Sequence, residues 1–234
     1  MEFENTRNPD VEKPIIIAAM QDMGNVGSIV VNFINKSLGT AQFRSVRSTK
    51  PSFIYDKGGY IDIPEEKWEF RYAKDFIIFG GGRGQPQDNQ ELNELCQDVI
   101  NVAKQYDAKF IYTVGGYHTT RKFGKSPTTY VTTTSQELLK LVQNLGIETT
   151  PTESVITGFN GLILGYAKLN EINGIGLYGE LLEPRIPQYR AAKTILETLE
   201  KLTYQKLGNL SELDMKAEAI AVSYTHLRAH ETLR

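Results

Sequence analysis

The chain has 234 residues, of which 40% are hydrophobic and 10% aromatic, enough to form a sizeable core in one large domain. Its 26 Lys and Arg residues nearly balance 28 Asp and Glu residues, and the formal net charge is -2. Neither sign forms a long run, so no electrostatic surface for nucleic acid or an anionic membrane is expected.

The longest apolar runs are far shorter than the roughly 20 residues of a membrane span. The N-terminus has no apolar signal segment, and the single cysteine, Cys96, cannot form an internal disulfide. The composition therefore predicts a cytoplasmic protein.

The first elements follow an order of strand, glycine turn and helix. Residues 1–13 are polar and are predicted to be disordered. Residues 14–20 form a continuous apolar run, which is typical of a strand buried on both faces. After a glycine-containing turn, apolar residues recur at three- and four-residue spacing as far as Leu38, which predicts a helix. A strand followed by such a helix predicts parallel strand pairing.

A predicted β-hairpin then interrupts the alternation of strands and helices. Residues 41–48 are expected to form a second strand, and residues 52–55 and 60–63 flank a turn with two glycines. Aromatic side chains alternate with polar ones over residues 68–72, which predicts a further antiparallel strand with one covered face.

The rest of the chain returns to alternating strands and helices. Asp88 or Asn89 is the expected N-cap of the next helix, in which Cys96 occupies a buried position. The remaining strands are predicted at residues 76–79, 110–114, 130–132, 154–157 and 175–178, and the helices at residues 92–103, 138–145, 160–169 and 192–202. The predicted fold is α/β, with three layers and a mostly parallel doubly wound sheet that carries a β-hairpin insertion. We predict a single domain over residues 14–207.

Residues 208–234 are predicted to be a tail outside this domain. Within it, residues 222–232 resemble the in-frame translation of a transposon-based sequencing adapter, and residues 222–234 are therefore left out of the fold prediction. His226 and His230 lie in this segment and are not interpreted as a metal-binding pair. His118 is then the one histidine left, and the sequence predicts neither a metal site nor a cofactor.

The first glycine cluster comprises Asp22, Gly24, Asn25 and Gly27, where the first buried strand meets its helix. Open α/β sheets bind ligands at such a position, and a helix N-terminus there can hold an anion. The cluster does not fit the GxGxxG dinucleotide pattern, because no third glycine stands in register. A structural turn and a ligand or partner contact therefore both remain open.

The second cluster comprises Gly80, Gly81, Gly82 and Gly84, at the end of the strand predicted at residues 76–79. It also fails the GxGxxG spacing, because glutamines stand where the third glycine is required. A tight turn and an anion-binding nest of backbone N–H groups remain as alternatives.

The third candidate group is Gly115, Gly116 and His118, at the end of the strand predicted at residues 110–114. An acid or base role is conceivable for His118, but neither a cysteine nor a GxSxG serine supplies a nucleophile. We therefore predict that the protein is not an enzyme.

Two further segments resemble motifs without matching them. The FGKS segment at residues 123–126 lacks the glycine that a phosphate loop requires five residues earlier, where Thr119 stands. The neighbouring Arg121, Lys122 and Lys125 form either a solvated surface or a patch that faces a partner. The GFNGLILG segment, which contains Asn160, places small residues at four-residue spacing and favours close helix packing.

Several segments in a fixed order resemble the proteasome assembly chaperone family, in its second-chaperone branch with archaeal and bacterial relatives. These are DMGNVG after the opening strand, IIFGGGRGQP, FIYTVGGY, ITGFNGLILGY, and GIGLYGELLEP before the last helix. The resemblance extends from about Pro14 to Leu202. It implies a fold like that of nucleoside phosphorylases, homo- or hetero-oligomers, a cytoplasmic location and binding to proteasome α-subunits.

The resemblance also bears on how such proteins reach their partner. Family chaperones can dock through a C-terminal tail of a hydrophobic residue, a tyrosine and a final residue. Ser223 and Tyr224 lie in the segment set apart above and are not interpreted as that tail.

The predicted function is that of a non-catalytic proteasome assembly chaperone, a homo-oligomer that binds α-subunits. The alternative is a nucleotide- or nucleoside-binding protein or a small-molecule enzyme. Its pocket would be lined by Asp22, the turn at residues 80–84, Gly115, Gly116 and His118.

Overall fold

The computed structural model describes residues 1–51, 53–120 and 126–231, and it describes side chains as far as residue 222. Some of the residues discussed above lie outside this description. They are Ser52, residues 121–125, which include Arg121, Lys122, Lys125 and most of the FGKS segment, residues 232–234, and the side chains of residues 223–231, which include Tyr224, His226 and His230. The predictions made for these groups stay predictions.

Strands and helices alternate along most of the described chain. The strands are β1 (Glu2–Asn5), β2 (Ile15–Ala18), β3 (Ala41–Arg47), β4 (Tyr55–Asp56), β5 (Ile61–Asp62), β6 (Lys67–Ala73), β7 (Phe76–Gly81), β8 (Phe110–His118), β9 (Thr129–Thr133) and β10 (Gly174–Leu181). The helices are α1 (Val26–Leu38), α2 (Asn89–Gln105), α3 (Gln136–Asn144), α4 (Gly158–Leu169), α5 (Tyr189–Thr203) and α6 (Ser211–Glu231). This order is typical of an α/β protein.

Eight strands form one sheet in the order β1-β3-β6-β7-β2-β8-β10-β9. The four central strands, β7, β2, β8 and β10, pair in parallel. Antiparallel pairing adds β9 at one edge, and β6, β3 and β1 at the other. β4 and β5 pair separately as a short hairpin. The predicted α/β fold with a large, mostly parallel sheet and a hairpin insertion is confirmed, whereas its likeness to nucleoside phosphorylases stays a prediction.

The central strands are apolar on both faces because helices cover both. Ile15 and Ile17 of β2 pack in one hydrophobic cluster with α1, α3 and α5. Ile16 and Ala18 belong to a second cluster on the opposite face, with α2 and α4. Burial of one such isoleucine side chain stabilises the fold by roughly 1.5–3 kcal/mol. This alternation explains why residues 14–20 carry no polar side chain, and it gives the molecule three layers.

The helix termini follow local rules that the sequence already shows. Of the two candidate caps for α2, Asp88 is the one used, since its Oδ1 accepts a hydrogen bond from the Glu91 backbone N–H at 2.9 Å. Cys96 on the same helix is fully buried, and burial raises the pKa of its thiol to about 12. Both features agree with the predicted packing of this helix against the sheet.

Two predicted elements differ in the structure. Residues 154–157, expected to form a strand, are irregular, and Val155 is 88% exposed. Glu2–Asn5, expected to be disordered, form the edge strand β1, in which Phe3 pairs with Val46 of β3. All four side chains of β1 are exposed, so backbone pairing rather than an apolar pattern holds this strand.

The segment assigned to a tail also contacts the folded part of the chain. Leu207 and Leu213 are buried in the cluster that contains α1 and α5. Asp214 forms an ion pair with Lys193 of α5, with Nζ and Oδ2 2.6 Å apart. The start of α6 therefore packs on this layer. Within the described residues, no helix is both long enough and apolar enough to span a membrane.

Candidate functional site

A cavity of about 480 Å³ lies at the carboxyl ends of β2 and β8, beside the start of α4. From β2 the chain continues towards β3, on one side of the sheet, and from β8 towards β9, on the other. Open α/β sheets bind ligands at such a point, where the strand order diverges. The cavity is lined by Met20, Gln21, Asp22, Met23, Gln85, Gly116, Tyr117, Thr150, Ser154, Val155, Ile156, Thr157, Phe159, Asn160 and Tyr178.

Asp22 is the carboxylate of this cavity, and it joins three elements of the fold. It follows β2, its Oδ1 accepts a hydrogen bond from the Gly27 N–H of α1 at 2.8 Å, and its Oδ2 accepts one from the Gly116 N–H of β8 at 2.5 Å. Burial raises the pKa of Asp22 to about 6, although the two backbone amides act in the opposite direction. The carboxyl group is thus held in a fixed orientation where the chain passes from β2 into α1.

The turn between β2 and α1 explains the other members of the first glycine cluster. Gly24 adopts a φ of +64°, its N–H donates to the Pro184 carbonyl at 2.7 Å, and its carbonyl accepts from the Gln188 N–H at 2.8 Å. A Cβ on Gly24 would stand 2.5 Å from Gln188 Cγ, and one on Gly27 would stand 2.4 Å from a backbone oxygen. Asn25 has a left-handed backbone as well, with φ at 55°. These three residues shape the turn, and Asp22 is the member of the cluster that faces the cavity.

Asn160 approaches Asp22 from α4, above the end of β8. Its Nδ2 donates a hydrogen bond to the Val114 carbonyl at 3.1 Å. A Cβ on Gly115 would stand 2.6 Å from Asn160 Nδ2 and 3.2 Å from Asp22 Oδ2, so glycine is required for this approach. Asn160 Oδ1 is buried, and no donor among the described residues reaches it. The wall of the cavity therefore carries an unpaired acceptor near the carboxylate.

The rest of the cavity is mainly apolar. Its floor is formed by the buried side chains of Met20, Phe159 and Tyr178. Met23 and Val155 are exposed at the rim. Because apolar walls lower the local dielectric constant, a charge interaction at Asp22 is stronger here than on an open surface.

The second glycine cluster lies elsewhere. Gly81, Gly82 and Gly84 lie around Trp68 of β6, whose Nε1 donates to the Gly84 carbonyl at 3.0 Å, whereas Gly80 lies against Val31 of α1. Gly82 has a φ of +65°, and a Cβ there would stand 2.5 Å from Trp68 Nε1. These glycines line no part of the cavity described above.

The third group divides between the cavity and the surface. Gly116 lines the cavity, Gly115 lies behind it, and His118 is exposed at the end of β8 without lining it. Sequence reasoning assigned Asn160 to helix packing and did not single out Tyr178 or Phe159. An amide residue at the N-terminal turn of a small-residue helix is the signal that would have pointed to Asn160.

Comparison with known proteins places the fold in a family. The model of the PAC2 family matches residues 16–227. Two uncharacterized proteins of Methanocaldococcus jannaschii are similar in sequence. MJ1210 is 27% identical over 90% of this chain and 81% of its own length, and MJ0106 is 28% identical over 94% and 87%.

Solved structures agree over nearly the whole chain. Pyrococcus furiosus PbaB, described as an archaeal proteasome activator, superposes with a TM-score of 0.83 at 22% identity, covering 97% of this chain and 98% of that one. Pyrococcus furiosus PbaA, described as an archaeal homolog of proteasome-assembly chaperone, gives a TM-score of 0.79 at 24% identity and covers 99% and 94%. A PAC2 family protein from Streptomyces avermitilis gives 0.72 at 17% identity over 92% and 95%. These matches confirm the family resemblance drawn from the sequence: the chain belongs to the PAC2 family.

Proposed function

We propose that this protein is a non-catalytic proteasome assembly chaperone that binds proteasome α-subunits in the cytoplasm. The observation that carries the proposal is the agreement in fold with PbaB and PbaA over almost the entire chain, together with the match to the PAC2 family. Those two proteins are described in terms of proteasome activation and assembly. Because a fold alone is a weak argument for function, the α-subunit partner requires a direct binding test.

The arrangement of reactive side chains supports a non-catalytic role. A nucleophile needs a base within hydrogen-bond reach. Cys96 is buried in α2 with a raised thiol pKa, and His118 is exposed at the end of β8, outside the cavity. Asp22 contacts two backbone amides, which hold its carboxyl group and supply no nucleophile.

The β4–β5 hairpin is the surface that we assign to partner binding. Tyr60, Ile61 and Ile63 are between 58% and 65% exposed, and they follow one another on a short two-stranded hairpin. Adjacent exposed apolar side chains of this kind commonly mark protein interaction sites. We therefore assign the hairpin to contact with an α-subunit.

The binding test uses each cognate proteasome α-subunit, purified separately, with complexes scored by native mass spectrometry. We expect the chain to form a complex with at least one α-subunit. Ile61→Asp should weaken that complex by about tenfold or more, since a charge would replace an apolar contact. Leu169→Asp is the matched control, because Leu169 is an exposed apolar residue at the end of α4, remote in sequence from the hairpin.

A wild-type chain that binds none of the α-subunits contradicts the proposal. Equal effects of the two substitutions would instead show that the hairpin is not part of the interface. We also propose that the chain forms a homo-oligomer, since β1 leaves one edge of the described sheet available for pairing. Light scattering coupled to size-exclusion chromatography measures this directly, and a mass of one chain contradicts it.

A further inference from the structure

The cavity at the ends of β2 and β8 has the size and position of a small-molecule site. Its volume of about 480 Å³ falls in the range of roughly 300–1,000 Å³ that is usual for such sites. It has a buried apolar floor and a polar group held in place by the backbone. No feature of the proposed chaperone function requires this cavity, so its purpose is a separate question.

The charges of the lining residues restrict the class of ligand. Asp22 is the single carboxylate among them, and the lining residues that the structure describes include no Lys, Arg or His. Phosphate and carboxylate ligands normally require such cations or several free N–H donors. Among the described residues, the cavity thus offers no side-chain cation to an anionic ligand.

Beside Asp22 the backbone and amide donors of the wall are already used, whereas the Tyr178 hydroxyl, buried without a partner among the described residues, can donate or accept. The Gly27 and Gly116 N–H groups already donate to Asp22, and Asn160 Nδ2 already donates to the Val114 carbonyl. The Asp22 carboxylate retains further lone pairs, and Asn160 Oδ1 has no donor within the described part of the chain. A ligand that complements this wall brings donors and positive charge.

We infer that the cavity binds a small molecule with a protonated amino group on an apolar or aromatic body. The ammonium group pairs with Asp22, near the negative end of the Asn160 amide. The body lies against Met20, Phe159 and the ring of Tyr178, which form the floor. An ammonium group in a partly desolvated site also gains from aromatic faces nearby.

Benzylamine and benzoate test this inference, because they share a ring and a similar size but carry opposite charges. Saturation-transfer NMR and calorimetric titration are carried out on the full chain at pH 7.5. We expect benzylamine to bind with a Kd in the millimolar range or tighter, and benzoate to bind at least about tenfold more weakly. Equal binding of the two, or no benzylamine binding at about 50 mM, overturns the inference.

Two substitutions test whether benzylamine binds in this cavity. Asp22→Asn should weaken benzylamine binding about tenfold, whereas Asp107→Asn should leave it unchanged. Asp107 is the control because it is exposed on the turn after α2 and pairs with Lys13, outside the cavity. Equal affinities in the two variants overturn the inference.

A second variant keeps the test decisive if Asp22→Asn does not fold. Ser154 is exposed at the mouth of the cavity, so Ser154→Trp can fill the entrance without disturbing the buried floor. We expect this variant to lose benzylamine binding and to keep the Tm of the wild type. Retained binding with an unchanged Tm places the ligand elsewhere and overturns the inference. Binding to α-subunits is measured separately, so either proposal can fail alone.

Discussion

The parallel strands β7 and β8 both end in a glycine-rich segment at the same end of the sheet. The glycines of the two segments contact different side chains. At the end of β8, Gly115 lies against Asn160 and Asp22, the Gly116 N–H donates to Asp22, and a cavity opens beside them. At the end of β7, Gly82 is packed against Trp68, while Gly80 and Gly81 border a separate depression with Lys67, Glu69 and Arg71. The sequence motif is similar in both places, but the side chains opposite the glycines differ.

The difference has a simple cause in side-chain size and in strand direction. β6 runs antiparallel to β7 and places the indole of Trp68 against Gly82, where it fills the space that a side chain would need. At β8 the opposing groups are a carboxyl and an amide on short side chains, held apart by their own hydrogen bonds. Glycine at residue 115 allows these two groups to lie close to the β8 backbone without filling the cavity.

The largest expected loss of stability is at the end of β7. Gly82→Ala introduces a Cβ 2.5 Å from Trp68 Nε1 at a residue with φ of +65°. We expect the free energy of unfolding to fall by about 3 kcal/mol, measured by urea denaturation. Gly58→Ala is the matched control, since Gly58 also has a positive φ but nothing within 4 Å of the added carbon. Its loss should be only about 1 kcal/mol, and equal losses would mean that Trp68 does not set the constraint.

A smaller loss of stability is expected at the end of β8. Gly115→Ala places a Cβ 2.6 Å from Asn160 Nδ2, which belongs to a short side chain at the cavity wall. Since that side chain can move into the cavity, the free energy of unfolding should fall by about 1–2 kcal/mol in the same denaturation experiment. The displaced Asn160 should also abolish the benzylamine binding proposed above. A loss as large as that of Gly82→Ala would contradict the contrast between the two strand ends.

The third effect, similar in size to that of Gly115→Ala, is a pH dependence that arises at Asp22. The pKa of Asp22 rises from 3.8 to about 6 on folding, so the folded state holds its proton over a range in which the unfolded chain has released it. The contribution of this group to stability is therefore fully present below pH 3.8 and is lost as the pH rises through about 6. With allowance for its partial exposure, the loss is about 1–2 kcal/mol.

Denaturation curves of the wild type and of Asp22→Asn between pH 4 and 7 measure this contribution. Because other carboxylates titrate in both proteins, the informative quantity is the difference between the two curves. We expect the wild type to lose stability relative to the variant as the pH rises. Parallel curves would show that the pKa of Asp22 is not raised by folding.

The layered core could be predicted from the sequence because its signals are local. Residues 14–20 show no polar side chain because both faces of β2 are covered, and Asp88 caps α2 through its own side chain. A continuous apolar run and a capping residue are both readable without knowledge of the neighbours in space. The order of the central strands follows from the same pattern.

Two segments could not be predicted, since their structure depends on distant partners. β1 is polar and exposed, and it exists because its backbone pairs with β3, forty residues away in the sequence, as in the pair Glu4 and Ser45. Residues 154–157 carry Val155 and Ile156, which suggested a strand, but they form the wall of the cavity instead. Hydrophobic pattern alone does not distinguish these cases.

The candidate site was only partly predictable for the same reason. Asp22 and Gly116 were identified because they follow buried strands, where ligands bind in open sheets. Asn160 was assigned to packing, since its role depends on the position of α4 over Gly115, which no local signal shows. For the glycine run at residues 80–84, nothing in the spacing reveals that Trp68 lies opposite Gly82.

The position of β2 in the sheet has a consequence for how the chain folds. This strand is the earliest of the central four in sequence, yet it pairs Ile15 with Phe76 on one side and with Phe110 on the other. A growing chain therefore carries an apolar strand with two open edges until β7 and then β8 have been synthesised. Pairing over such separations is slow, because loop closure precedes the gain in contacts. The nascent chain is thus most exposed to aggregation during that interval, before the central strand is enclosed.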